Sequence, residues 1–217
     1  MRSVWFACLA GVLAAVPAAA QDAVKVAPNV YHLVAENDRV RVLHVAIAPG
    51  GKVPMHEHPA NLIVPLTDAK VKFTMADGKA VEVALKAEAA SLHPAEKHAG
   101  ENVGAAGELL VIELKGTPGT GTFPGPRPGM KSTVLAEDAN VRASRVTIDP
   151  SFKEAAGTTH DYHQVVIPLT AGDIKLTVGG KAYTSWKRGD AVVIGKGVPH
   201  ESAGGKTAGD AIIVAIK

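Results

Sequence analysis

Apolar and polar residues alternate with a period of two over much of this chain. Val71-Lys72-Phe73-Thr74-Met75 and Ile174-Lys175-Leu176-Thr177-Val178 alternate strictly, and Arg39–Ile47 and Val81–Leu85 nearly so. Successive side chains on a β-strand point to opposite faces, so this pattern predicts half-buried strands. Turn signals punctuate them at Pro49-Gly50-Gly51, Asp77-Gly78, Gly179-Gly180 and Gly189-Asp190. Many short strands at a spacing of about 8–12 residues predict an all-β sandwich or a closed antiparallel barrel. Only Val83–Ala90 offers a helical alternative, and its counterpart later in the chain reads as strand.

One segment breaks the pattern. Val4 to Val16 is an almost unbroken apolar run, preceded by Arg2 and followed by Ala18-Ala19-Ala20 and Gln21. It reads as a Sec-type signal peptide spanning residues 1–20 and is too short for a transmembrane helix. The expectation is a bacterial periplasmic or secreted protein with no stable membrane insertion after cleavage. The single cysteine, Cys8, falls inside this segment, so the mature chain has neither thiol nor disulfide.

The rest of the chain is a duplication. Residues 33–49, LVAENDRVRVLHVAIAP, align without gaps on 134–150, VLAEDANVRASRVTIDP, with seven of seventeen positions identical. Pro65-Leu66-Thr67 returns as Pro168-Leu169-Thr170, and Gly78-Lys79-Ala80 as Gly180-Lys181-Ala182. A period of about 100 residues is far longer than that of a solenoid repeat, so a whole domain is duplicated. Between the copies, GTPGTGTFPGPRPGMK is too rich in glycine and proline for a helix or an interior strand. The expected organisation is therefore an N-terminal unit at 21–115, a linker at 116–131 that is stiff enough to wrap the surface as an arm, and a C-terminal unit at 132–217.

Charge narrows the partners. Lys and Arg number 23 and Asp and Glu 21, with no long block of either sign, which excludes the basic stripe that nucleic acid requires. From residue 21 onward Trp186 is the only tryptophan, too little for a stacking platform. A small-molecule partner remains.

The histidines supply the chemistry. His56 and His58, one residue apart, share a face of a strand, and His98 from a distant strand can close a triangle around one ion. Neutral imidazole is the commonest protein ligand for transition metals. His160 and His200 repeat two of these positions, while Thr158 replaces the third.

These residues resemble the cupin superfamily. Gly51-Lys52-Val53-Pro54-Met55-His56-Glu57-His58-Pro59 matches the first half of its first motif, a glycine followed by His-x-His. Pro94-Ala95-Glu96-Lys97-His98-Ala99-Gly100-Glu101-Asn102 matches the second motif, a proline turn, a histidine and an asparagine. Gly195-Lys196-Gly197-Val198-Pro199-His200 and His160-Asp161-Tyr162-His163-Gln164 match the corresponding parts in the second copy. The resemblance covers residues 30–217 and implies a bicupin, two tandem jelly-roll β-barrels. The motif glutamate is missing from the first copy, where Asn61 and Leu62 stand three and four residues after His58; Gln164 stands at its position in the second.

What the resemblance implies is a divalent ion, iron, manganese or zinc, held by His56, His58 and His98, with a second set at His160, Gln164 and His200. His93 and His163 are candidates to line a substrate pocket, although His163 neighbours Gln164 on a strand and only one of the two can face inward. The implied activity is a dioxygenase, isomerase or lyase acting on a small carbonyl-bearing substrate. The alternative is a non-catalytic module that binds a metal or small molecule and has a degenerate second pocket. A monomer or a homodimer is expected, since two fused barrels can form a dimer-like pair internally.

Overall fold

A computed structural model of the protein describes residues 21–170 and 174–217; the expected signal peptide lies outside the described residues. After a short helix, α1 (Ala23–Val26), the first half forms β1 (Tyr31–Glu36), β2 (Val40–Ile47), β3 (Lys52–His58), β4 (Asn61–Pro65), β5 (Ala69–Met75), β6 (Ala80–Leu85), β7 (Ser91–His93), β8 (Glu96–Asn102) and β9 (Gly107–Leu114). The second half forms β10 (Met130–Glu137), β11 (Val141–Ile148), β12 (Lys153–Thr158), β13 (His163–Pro168), β14 (Lys175–Val178), β15 (Lys181–Tyr183), β16 (Val192–Ile194), β17 (His200–Ala203) and β18 (Gly209–Ile216).

Each half is a double-sheet jelly roll. In the first, a five-stranded sheet β1-β2-β9-β4-β7 faces a four-stranded sheet β3-β8-β5-β6. In the second, β10-β11-β18-β13-β16 faces β12-β17-β14-β15, the same order strand for strand. All the strand pairs are antiparallel, so the duplication read in the sequence is also a duplication of topology. Val83–Ala90 holds the end of β6 and a loop, not a helix. The helix that does form is nucleated by Asp22, whose carboxylate accepts from the Val24 amide at 3.0 Å.

The two five-stranded sheets pack back to back. Val40, Val42, Leu62, Val64, Leu110 and Ile112 from the first half join Val141, Val165, Ile167, Ile212, Val214 and Ile216 from the second in one buried cluster. Alternate residues of the same strands, such as Leu43, Ile63 and Val111, face the interior of the first barrel instead. These strands are thus buried on both faces, which is why β4, β9 and β18 read as apolar runs rather than as alternating strands. β1 lies against β16 and β7 against β10, an arrangement with internal two-fold character. Charged groups tie the edges: Arg145 bonds Glu88 across the junction at 2.7 Å, and the Arg39 guanidinium donates to the carbonyls of both Lys115 and Lys217.

The connector lies along the second barrel. The Thr122 amide donates to Asp161 Oδ2 at 3.1 Å, Lys196 Nζ donates to the Thr120 carbonyl at 3.1 Å, and Phe123 sits beneath Arg142 and Lys217. Its last part carries Arg127 to the carboxylate of Glu154 inside that barrel.

Candidate metal centre

Gly51 starts the site. A Cβ there would stand 2.9 Å from both the Ala48 carbonyl oxygen and Ile47 Cγ2, so only glycine allows the tight turn that feeds β3. The pairing of β3 with β8 shifts register between Val53 and His56, and this irregularity rephases the strand. Val53, His56 and His58 consequently all face inward and are buried. His56 is set directly opposite His98 on β8. Glu57 is half-buried on the other face, where its amide takes the Gln21 carbonyl, and Glu101 pairs outward with Lys52.

The tautomers follow from the hydrogen bonds. His56 Nδ1 lies 2.8 Å from the Pro54 carbonyl, and His58 Nδ1 lies 2.6 Å from Glu113 Oε1. Both partners can only accept, so both Nδ1 atoms carry the proton and both Nε2 atoms, in the neutral rings, present lone pairs. Those two Nε2 atoms are 3.1 Å apart. Two lone pairs at that distance repel unless a proton or a metal cation lies between them. Two imidazole nitrogens bound to one ion stand about 2.9–3.4 Å apart, given bonds of about 2.0–2.1 Å. The ligand atoms of His56, His58 and His98 all lie within 4.8 Å of one another. The three residues therefore fit a shared metal ion.

Burial favours the neutral form of His56 and His98. Burial, reinforced by His56, His58 and His93, pushes His98 down to about 3, and burial lowers His56 against the opposing pull of the Pro54 carbonyl. His98 Nδ1 stands 3.4 Å from Glu96 Oε1 but forms no hydrogen bond. Phe73 meets His98 edge to face at 4.8 Å, and the lining of Val45, Ile47, Ile63, Val71 and Leu109 is apolar.

Three groups that the sequence reading missed complete the site. Glu113, on β9 of the opposite sheet, is 1% exposed and accepts from His58 and, at 2.5 Å, from Arg41 Nε. Arg41 in turn pairs with Asp22 at 2.6 Å. Burial alone would raise the Glu113 pKa, but the bonds from His58 and Arg41 outweigh it and hold the carboxyl below its ordinary range. A carboxylate behind a metal-binding histidine fixes the ring and strengthens it as a ligand. Tyr31, on β1, places its hydroxyl 3.1 Å from His56 Nε2, and burial pushes its pKa up, so it stays a proton donor. Asn61 lines the same cavity, with its Nδ2 bonded to the Pro59 carbonyl and its Oδ1 buried without a partner.

Asn61 also revises the comparison between the copies. Asn61 pairs with Glu113 and Gln164 with Ala215, so Asn61, and not Leu62, is the structural counterpart of Gln164. The stretch from Thr158 to Gln164 is one residue longer than its counterpart from His56 to Asn61, which a gap-free alignment hides. Leu62 faces the other barrel and belongs to the shared core.

The remaining candidates divide. His93 is on β7 opposite Asn61, bonded to Ser91 Oγ at 2.9 Å, outside the three-imidazole cluster. His163 points away from the second cavity toward Asn37 Nδ2 and the Lys196 amide, each at 3.4 Å, because Gln164 takes the inward direction. His160, His200 and Gln164 do come to one end of the second barrel, but the group whose ligand atoms converge is His160, His200 and Glu154. Glu113 leaves a trace in the sequence, as the one charge within Leu109-Leu110-Val111-Ile112-Glu113-Leu114, and Asn61 leaves one by its place three residues after His58.

Two face-packed jelly rolls, the first carrying three converging imidazoles, define a two-barrel protein with a metal-type histidine centre. The fold is the cupin fold. Neither a protein-family model nor a curated protein sequence matches the chain. Among solved structures it is similar to AerE from Microcystis aeruginosa, with TM-score 0.61 and 12% identity over 87% of this chain and 97% of that one. It is also similar to a cupin 2 conserved barrel domain protein from Leptotrichia buccalis, with TM-score 0.58 and 12% identity over 87% and 88% of the two chains. A salicylate 1,2-dioxygenase from Pseudaminobacter salicylatoxidans aligns with TM-score 0.60 and 9% identity over 82% and 71%. At these identities the likeness is one of fold. Among the described residues, no helix is long and apolar enough to cross a membrane.

Proposed function

We propose that this protein is an exported metal-dependent cupin enzyme that holds iron, manganese or zinc on His56, His58 and His98 and acts on a small carbonyl-bearing molecule. The observation that carries this reading is the pair of Nε2 lone pairs facing each other at 3.1 Å while both Nδ1 protons are committed elsewhere. A divalent ion there supplies Lewis acidity toward a carbonyl or enolate oxygen. The chain's own residues do the rest. Glu113 holds the His58 proton and ring orientation, and Arg41 with Asp22 holds Glu113. Tyr31 offers its hydroxyl hydrogen to an oxygen anion that develops beside His56. The apolar lining excludes bulk water, which strengthens each of these polar interactions. A dioxygenase-type reaction on a dicarbonyl, thiol or catechol matches a fold that the salicylate dioxygenase also uses.

The test is direct. His98→Ala is expected to lower bound metal by one equivalent per chain, measured by elemental analysis of the purified protein; unchanged metal content would sink the assignment. Oxygen uptake with a panel of diketones, thiols and catechols then separates enzyme from binding module. One observation favours the metal-binding form of the second reading: the cavity lined by Tyr31, His58 and His98 measures only about 30 Å³, room for a water or two rather than an organic molecule. Metal-loaded protein that is inert to the whole panel, yet thermally stabilised by one ligand, would decide for binding.

Export is part of the same reading. Gln21 and Asp22 are already engaged, with the Glu57 amide and Arg41 respectively, so cleavage after Ala20 leaves the packed part intact. Protein isolated from its native compartment is expected to show by intact mass a chain beginning at Gln21. A mass that includes residues 1–20 would count against it.

A further inference from the structure

The second barrel has lost one histidine and gained an acid. Thr158 stands where the first barrel has His56, and its hydroxyl turns away to the Ala155 carbonyl. Glu154 pairs across the sheet with Ser202, as Val53 pairs with Gly100 in the first barrel. A carboxylate thus enters the cavity where the first copy has an apolar side chain, from the sheet opposite the one that carries Gln164. We propose that Glu154, His160 and His200 form a second divalent-cation site, distinct in charge and ligand set from the three-histidine centre.

Geometry brings these groups together. Glu154 Oε1 lies 3.3 Å from His160 Nε2, and Oε2 lies 3.7 Å from His200 Nε2. Their ligand atoms all fall within 4.8 Å of one another. Neither imidazole nitrogen makes a hydrogen bond, and the His200 side chain is fully buried. His200 Nδ1 lies 3.0 Å from the Val198 carbonyl, so it carries the proton and Nε2 presents a lone pair. That lone pair faces a carboxylate oxygen at 3.7 Å, an arrangement that a proton or a metal cation between the two relieves. Gln164 Oε1 lines the same cavity and is also buried without a partner. Arg127 from the connector and Ser202 hold the carboxylate in place, Ser202 Oγ at 2.6 Å. Arg127 accounts for the charge of Glu154. His160 Nε2, His200 Nε2 and Gln164 Oε1 remain without a hydrogen-bond partner, and a cation would be held by the two imidazoles together with Glu154.

Two imidazoles and one carboxylate are a different environment from three imidazoles. The carboxylate oxygen is a harder ligand than imidazole and favours harder ions. The enclosed space of about 30 Å³ suits an ion with its water.

The experiment uses the full mature chain, stripped with chelator and reloaded with cobalt(II) alone, with stoichiometry read by elemental analysis and by the cobalt absorption spectrum. Wild type is expected to bind two equivalents. His98→Ala should keep one, and Glu154→Gln should keep the other, so each barrel is read independently of the other. His98→Ala with Glu154→Gln should bind at least 10-fold more weakly than His98→Ala alone. Circular dichroism monitors folding throughout. If Glu154→Gln does not fold, His160→Ala takes its place with the same expectation. Folded His98→Ala protein that binds no cobalt overturns the second site. So does a double variant that binds as tightly as His98→Ala.

Discussion

Replacing Glu113 by alanine is expected to cost about 3–5 kcal/mol of folding stability and to weaken metal binding in the first barrel about 10- to 100-fold. The stability loss comes from what the carboxylate leaves behind. Arg41 would keep only Asp22, and the Nδ1 proton of a His58 that is 5% exposed would have no acceptor. A buried group stripped of its partner carries its full desolvation cost. The affinity loss has a second origin. Without Glu113 the His58 proton is free to move to Nε2, which removes the lone pair that faces His56. Glu113→Gln separates the two effects. It keeps the shape and one hydrogen bond but not the charge that Arg41 requires, so it should recover part of the metal affinity before it recovers stability. Denaturant unfolding and cobalt(II) titration measure the two quantities. An alanine variant with wild-type values in both would show that the His58–Glu113–Arg41 chain is incidental.

Leu62→Ala is expected to cost about 2–5 kcal/mol by opening a cavity in the shared core, which for a chain of this size lowers the melting temperature by roughly 10 °C. Leu62 is fully buried between Val64, Leu110 and Ile112 on its own side and the apolar face of the second barrel on the other. It does not line the histidine cavity, so metal stoichiometry should not change. Trp186 reports on the coupling. It is buried in the second barrel, with its indole donating to the Ile174 carbonyl at 2.7 Å, far from Leu62 in sequence. If the back-to-back sheets unite the two barrels, the Trp186 fluorescence transition shifts together with the rest of the protein. A Trp186 transition that stays at the wild-type temperature would mean that the halves unfold independently.

Much of this protein is written locally. Period-two alternation marked strands such as Val71–Met75, because one face meets the core and the other meets water. The duplication was visible because two copies of one fold need the same turns in the same places. The histidine triangle was legible for a related reason. His56 and His58 must share a face on any regular strand, and the Gly51 turn before them and the proline turn before His98 have no apolar packing to explain them.

What escaped was set by register and by contact between distant strands. Whether Asn61 or Leu62 faces the cavity depends on a single residue of slippage, and β4 is buried along its whole length, so burial does not mark either face. Glu113 becomes the shared partner of His58 and Arg41 only because β9 lies between β2 and β4 in the facing sheet. Glu154 next to Lys153 reads as an ordinary surface charge until the irregular pairing of β12 with β17 turns it inward. The sequence by itself determined the strands, the doubling and the three candidate imidazoles, since each shows as a local pattern or as the recurrence of one. Only the tertiary structure decided which carboxylate serves which histidine, and that the two barrels share one core. Those depend on which faces of two-sided sheets meet, and a strand that is apolar on both faces carries no mark of which face goes where.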